Sequence, residues 1–362
     1  MLFYKTQSYY MAYKILINGF GRIGKLATRL AWYDHKKDFN SEAPTGIWGQ
    51  ELEIVGINDP NGNIQVAKHL LEFDSTHGRF PIKIYEDGKY LFLGNKKVKY
   101  SNFDNLEEAV SFHDNIDIIL ECSGKFKNVL SLSNLFEKKI RKIIFSYPIN
   151  NEHVKNIVMG VNHLGYDKKN HNFITGASCT TNCLAPIVKV LKNNYTIKHG
   201  LITTIHDITN SQSIIDGMHN DIRRSRSSST NLIPTTTGSA KAIGLIFPEL
   251  EGKLDGIAVR VPVLNASLTD CVFEIVEETS IEEINSKFKE AATSYLKGIL
   301  GYEDRLLVSS DYVSDTRSSI VDAQSTMVND KSQIKIISWY DNEYAYSLRL
   351  IELCKYVINQ GI

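Results

Sequence analysis

The segment Ser178-Cys179-Thr180-Thr181-Asn182-Cys183 sets a thiol among small polar side chains, where a strand-like run, Asn172–Gly176, gives way to a helical one. Ser178 is suited to cap that helix, which puts Cys179 in its first turn. There the positive end of the helix dipole favours a thiolate, the form in which cysteine is a nucleophile. An isolated cysteine is more often buried and inert, but the polar neighbours point the other way. Pro186 falls inside the helix and predicts a kink or irregular first turns. Cys183, one turn on, is placed to be a metal or redox partner. No second Cys or His pair stands at ligand spacing, so packing with some oxidation sensitivity is expected and a metal is not. A thiolate nucleophile needs an imidazole, and ten histidines compete. His206 ends a strand-like run, Leu201–Ile205, ahead of polar Asp207, Thr209, Asn210 and Ser211. Any single histidine is more often a satisfied or solvent-facing side chain.

A second chemistry is written near the start. Gly19-Phe20-Gly21-Arg22-Ile23-Gly24 fits G-x-G-x-x-G, with glycines for a tight turn, for close approach to a pyrophosphate, and for helix–strand packing. The helix starting near Arg22 would present unpaired N–H groups to the phosphates. A second strand ends at Asp59, whose carboxylate suits a ribose diol and repels a 2′-phosphate, favouring NAD over NADP. Asp59 lies 35 residues beyond Gly24, against about 20 in the usual pattern. A polar insertion at 34–51 accounts for the excess. The bland alternative is an accidental glycine turn.

These groups must be positioned by the elements around them. From Tyr13 the chain reads as a strand, a glycine turn, and an amphipathic helix through about Trp32. Residues 34–51 contain Pro44, Gly46 and Gly49 and read as a surface loop. A strand at Glu53–Asn58 and a helix at about Ile64–Glu72 follow. Further β-rich stretches at Ile116–Leu120, Lys142–Phe145 and Ile157–Gly160 alternate with helical segments, which implies parallel strands covered by helices. After about Ser178, the runs Gly200–Ile205, Gly256–Val263 and Ser267–Glu277 alternate as in an antiparallel sheet with a solvated face. A helix is expected over 281–297, and a closing helix over 343–358 that returns to the first domain.

The chain has 362 residues, with 41 Lys+Arg against 41 Asp+Glu. That length suits two domains of about 100–200 residues each. Zero net charge removes the electrostatic case for nucleic-acid binding. No apolar run approaches the roughly 18 residues of a membrane span. Five cysteines are few and odd in number, which fits a reducing, cytoplasmic setting better than a disulfide framework. Residues 1–10 lack the pattern of a signal or transit peptide and read as a floppy extension ahead of Met11.

Nine segments occur in order: INGFGRIG at 17–24, NDP at 58–60, FDSTHGRF at 73–80, ASCTTNCLAP at 177–186, TTIHDITNSQ at 203–212, DIRRSRSSS at 221–229, IPTTTGSAKA at 233–242, VRVPV at 259–263 and WYDNEYAYS at 339–347. Together they resemble the phosphorylating glyceraldehyde-3-phosphate dehydrogenase family from Tyr13 to the C-terminus. The resemblance implies an α/β fold, with a Rossmann-type doubly wound parallel sheet over 11–178 completed by 343–362. An α+β catalytic domain with a largely antiparallel sheet is implied over 179–342. Cys179 becomes the nucleophile and His206 its base. Thr209 and Arg260 would hold the substrate's C3 phosphate, and Ser178, Thr180, Thr237, Gly238 and Arg224 the inorganic phosphate. Gly19, Phe20, Gly21, Arg22, Ile23, Asp59, Ser123 and Gly124 would hold NAD, with Asn342 on the carboxamide and Tyr346 near the nicotinamide. The Arg223–Arg226 stretch would line a neighbour's cofactor site in a homotetramer.

Some positions depart from the family's habit: Asp207 where Ala or Ser is common, Ser211 where an acidic residue is common, and Tyr344-Ala345 for Trp-Gly. Gly217-Met218 replaces the Leu-Pro of strictly NAD-dependent members, which leaves room for NADP. HLLEFDSTHGRF, TTIHDITN and NASLTDCVFE resemble a branch associated with arsenic-resistance operons, where arsenate would replace phosphate and yield 1-arseno-3-phosphoglycerate. Erythrose-4-phosphate dehydrogenase is the nearest alternative activity. From other classes, an inactive nucleotide-binding scaffold and a cysteine hydrolase are the rivals.

Overall fold

The computed structural model describes residues 12–33 and 46–362. The extension at 1–10 and most of the 34–51 insertion lie outside the described residues. Seven helices are described: α1 (Arg22–Trp32), α2 (Ile64–Glu72), α3 (Leu106–Phe112), α4 (Cys179–Asn194), α5 (Ser239–Ile246), α6 (Ile281–Thr293) and α7 (Tyr344–Asn359). None is long and apolar enough to cross a membrane.

Among the described residues, nine strands form the first sheet. In spatial order they are Val154–Asn156, Phe173–Thr175, Lys142–Phe145, Ile118–Glu121, Tyr13–Asn18, Leu52–Asn58, Lys96–Ser101, Tyr90–Leu93 and Ile84–Glu86. The first seven run parallel to one another. Strands covered on both faces must be apolar on both, and Ile15, Leu16 and Ile17 are all buried. Ile15 and Ile17 pack with Ala27 and Ala31 of α1 and with Leu350, Ile351, Cys354 and Val357 of α7. Leu16 and Ile119 face the opposite way, onto Leu106, Ala109 and Val110 of α3 and onto Val129, Leu132 and Leu135. The last helix of the chain therefore packs on the first sheet.

The second sheet has eight strands and is largely antiparallel. Ser267–Ile275 and Gln333–Tyr340 bury alternate residues, as a sheet with one core face requires. That face meets α4, which is apolar nearly all round: Cys183, Leu184, Ile187, Val188, Val190 and Leu191 have no exposed surface. From Thr180 to Val188 every position is buried, so that stretch is covered on all sides, and only the end of the helix, at Lys192, Asn193 and Asn194, is exposed. Truncating Leu184 to Ala would cost about 2–5 kcal/mol, the usual range for a core cavity.

Several expectations are corrected. Residues 157–160 are not a strand; the strand ends at Asn156, and Ile157 and Val158 are buried beyond it. The first sheet ends in two antiparallel strands, Tyr90–Leu93 and Ile84–Glu86. In the second sheet Ile197–His206 runs parallel to Leu254–Arg260, because the chain crosses over through α5 between them. The α6 pattern stops at Thr293 rather than 297. α4 runs unbroken from Cys179 to Asn194 through Pro186, held on every side by core. The reading of 34–51 as surface fails at its described end, where Trp48 is buried and meets the Trp32 ring edge-on at 5.4 Å.

Candidate active site

The turn that delivers the thiol is strained. After Phe173–Thr175 the chain passes Gly176 to Ala177, whose φ of 56° is left-handed, a conformation costly for a side-chain-bearing residue. Two bonds hold it: Ala177 N–H donates to Thr175 Oγ1 at 3.0 Å, and Tyr346 OH from α7 donates to the Ala177 carbonyl at 2.9 Å. Ser178 caps α4 as expected, its Oγ accepting from Thr181 N–H at 3.0 Å. The Asn182 amide donates back to the Gly176 and Ser178 carbonyls. Cys179 is thereby fixed as the first residue of the helix.

His206 ends the strand Ile197–His206, and the parallel register places it directly beside Arg260. Nε2 of His206 lies 3.6 Å from Cys179 Sγ, within reach of a sulfur hydrogen bond, although 27 residues separate them. Among the described histidines, the fold thus brings His206 to the thiol. Burial alone would lower its pKa, but contacts with Asp207 and Cys179 outweigh that and push it up to about 9. Arg260 Nη1 lies 2.6 Å from His206 Nδ1 and donates to the Asp207 carbonyl at 3.1 Å.

A cavity of about 550 Å³ joins this pair to the glycine turn. It is lined by Gly19, Gly21, Arg22, Ile23, Asp59 and Ser123 as well as Ser178, Cys179, His206, Thr209, Arg260, Asn342 and Tyr346. The turn fits a dinucleotide by its shape. Gly19 has φ +93°, and a Cβ there would lie 2.5 Å from Ser123 N. A Cβ on Gly24 would lie 2.3 Å from the Gly19 carbonyl oxygen, whereas one on Gly21 would meet nothing within 4 Å. The close-packed glycines and the open one divide the duties that a pyrophosphate cradle needs. The N-terminus of α1 has no side-chain cap, leaving its N–H groups for an anion. Asp59 accepts from Phe20 N–H at 2.7 Å and Asn61 N–H at 2.9 Å. Its long sequence separation from Gly24 is immaterial, because Gly19 N–H bonds the Asn58 carbonyl on the adjacent strand.

Not every residue named from the sequence meets the cavity as expected. The Arg22 guanidinium is held by Asp74 and Glu343, so its backbone N–H is what remains for a cofactor. Thr180 is buried, with its hydroxyl 2.8 Å from Tyr340 OH and not directed to an anion; again the backbone N–H is what it offers. Phe20 is buried in the core of the first sheet. Gly124 takes a left-handed φ beyond Ser123 and is not part of the cavity wall. Asn342 is buried, its Oδ1 accepting from Ser267 Oγ at 3.1 Å.

A second cavity of about 730 Å³ lies across Ser178, lined also by Gly238, Ser239 and Lys241. Ser178 Oγ is 3.1 Å from Ser239 Oγ, to which Thr237 Oγ1 donates at 3.2 Å. Arg224 stands apart from both cavities, with Nε donating to Thr235 Oγ1 at 2.9 Å and Nη1 to Ser211 Oγ at 3.3 Å. Sequence reasoning missed Ser239, although it follows Gly238 in the same motif. It also missed Glu343, which holds Arg22. Glu121 was missed as well: this buried carboxylate accepts from Ser123 N–H at 2.7 Å and sits in an otherwise apolar strand that gave no signal of it.

Residues 13–129 match the glyceraldehyde 3-phosphate dehydrogenase NAD binding domain, and 178–342 match the C-terminal domain of the same family. Glyceraldehyde-3-phosphate dehydrogenase 3 of Nostoc sp. is 49% identical over 348 residues, 96% of this chain and 98% of that protein. Glyceraldehyde-3-phosphate dehydrogenase 1 of Bacillus subtilis is 43% identical over 352 residues, covering 97% of this chain and 100% of its own. The Geobacillus stearothermophilus protein is 42% identical over the same shares. With two domain matches and full-length relatives added to the paired thiol and imidazole, the chain belongs to the glyceraldehyde 3-phosphate dehydrogenase family.

Proposed function

We propose that this chain oxidises D-glyceraldehyde 3-phosphate with NAD and couples the oxidation to phosphorylation, giving 1,3-bisphosphoglycerate. The observation that carries this reading is the 3.6 Å approach of Cys179 Sγ and His206 Nε2 in a cavity shared with the glycine turn. Cys179 adds to the aldehyde carbon, forming a C–S bond, and His206 Nε2 takes the proton of the resulting hydroxyl. NAD, which the glycine turn and Asp59 would hold, would supply the hydride acceptor for that carbon. A thioester then remains on Cys179, with the Cys179 backbone N–H at the helix start as an oxyanion donor. Phosphate attacks the thioester, the acyl phosphate departs and the thiolate is restored.

Thr209 and Arg260 line the thiol cavity and would bind the C3 phosphate, since hydroxyl and guanidinium give short charge-assisted bonds. Ser178, Thr237, Gly238 and the Thr180 N–H would take the inorganic phosphate, with Arg224 drawn toward it. Asn342 and Tyr346 would flank the nicotinamide, and Asp59 would select NAD. The nucleotide lobe would span 11–178 and 343–362, and the catalytic lobe 179–342. Leu201, Ile214, Ile215, Met218, Ile222 and Ile257 are exposed, which suits burial against further copies in a homotetramer. A thiol working as a thiolate suits the reducing cytoplasm. The test is cofactor reduction by the purified protein with glyceraldehyde 3-phosphate. We expect sustained turnover with phosphate and a single burst without it. The assay is repeated with erythrose 4-phosphate, arsenate and NADP, and no reduction of either cofactor would refute the reading.

A further inference from the structure

The Asp207 side chain has no exposed surface, and its Oδ1 lies 2.7 Å from His206 Nδ1, the ring nitrogen opposite the one that faces the thiol. The His206 ring and the Asn342 side chain are the polar groups that face this carboxylate. Burial pushes this carboxyl's pKa up, and the neighbouring imidazole opposes that rise. A buried anion is costly, and it persists only where hydrogen bonds and a cation compensate it.

The geometry around Nδ1 poses a choice. Arg260 Nη1 is 2.6 Å away and, as a cation, disfavours a charged imidazole. If neutral His206 accepts that donor at Nδ1, its proton sits on Nε2 and it cannot serve as a base toward the substrate. With N–H on Nδ1, the acceptors are the Asp207 carboxylate and the Asp207 carbonyl at 3.0 Å. Nε2 is then free. The remaining groups facing the ring are Cys179 from α4 and the Tyr340 hydroxyl-bearing ring, edge-on at 6.2 Å. Asp207 in turn faces Asn342, with Glu343 beyond it, and donates its own N–H to Ser267 Oγ.

We propose that Asp207 is a positioning residue for the oxidation step, holding the Nδ1–H tautomer of His206 and offsetting the charge of Arg260. When Nε2 takes the hydroxyl proton, the positive charge spreads over an imidazolium set between Asp207 and Arg260. Asp207 supplies the negative charge that Arg260 would otherwise leave unanswered. This inference rests on the reading of Cys179 and His206 given above.

The test compares wild type with Asp207→Asn, which removes the charge at constant size, and Asp207→Ser. The first measurement is the pre-steady-state burst of aldehyde oxidation as a function of pH. The carboxylate stabilises the imidazolium, so its removal moves the acid limb to lower pH, by about one unit. The plateau falls about ten-fold in Asp207→Asn and further in Asp207→Ser, as a weaker base requires, with KM for the aldehyde held within about two-fold. The second measurement is alkylation of Cys179 by iodoacetamide without substrate or cofactor, which slows several-fold at neutral pH. An acid limb that stays in place in both variants, or a loss confined to KM, overturns the proposal. An inactive wild type would instead strike the assignment of Cys179 and His206.

Discussion

On the thiol side of Ser178, Cys179 begins a helix while His206 and Arg260 lie level at the ends of two paired strands. On the other side, Thr237, Gly238 and Ser239 sit where a strand turns into α5, and Arg224 belongs to 207–232, which contains neither helix nor strand. The first group is placed by backbone register and aimed into one cavity. The second group is satisfied internally: Ser178 and Thr237 bond Ser239, and Arg224 bonds Thr235 and Ser211. An anion arriving there must displace existing bonds, whereas an aldehyde carbon arriving at Cys179 meets a thiol and an imidazole already paired. Regular elements fix the covalent chemistry, and loops leave the anion's affinity adjustable.

The contrast can be broken at its strongest point first. Cys179→Ser should still bind NAD but lose oxidation by about 10⁴-fold or more, as removal of a nucleophile does; wild-type turnover in this variant would refute the assignment. Arg260→Ala should raise KM for the phosphorylated aldehyde by about 10- to 100-fold, the worth of charge-assisted bonds. KM for unphosphorylated glyceraldehyde should change far less, and an equal rise for both would remove Arg260 from phosphate binding. Thr237→Ala should raise KM for inorganic phosphate only about 2- to 10-fold, one neutral hydrogen bond, with the oxidation burst untouched. A slowed burst would show that the two sides are not separable.

The smallest effect concerns the frame beneath both sides. Burial opposes ionisation of Asp74, but its hydrogen bonds to Arg22, His77 and Thr76 win and hold the carboxyl well below its usual range. A depressed folded-state pKa contributes stability that is present above the unfolded carboxylate value, about 4. That contribution drains away as pH falls from there toward the folded value. Asp74→Asn should therefore lower the thermal midpoint by a few degrees at neutral pH, and the gap to wild type should shrink below about pH 4. A gap independent of pH would assign the effect to packing.

Much of this layout is legible in the residues because it depends on local rules. The glycine turn, the Ser178 cap and the α1 and α2 boundaries follow from phi angles, capping and apolar period. The meeting of Cys179 with His206 does not, because it depends on how α4 packs on the strand Ile197–His206, and contact between distant segments leaves no local mark. The misread strand at 157–160 shows the same limit, since a short apolar run can be buried without joining a ladder. Trp48 was lost among glycine and proline neighbours that usually mark surface. Thr180 and Arg22 carried the right residue types, but their side chains were claimed by Tyr340 and by Asp74 with Glu343.

The hydroxyl that steadies Ala177 comes from Tyr346, far along the polypeptide. A chain still being synthesised therefore carries its nucleophile and its base well before it carries the group that locks the turn ahead of the thiol. The turn that presents the sulfur is thus completed only when the closing helix docks.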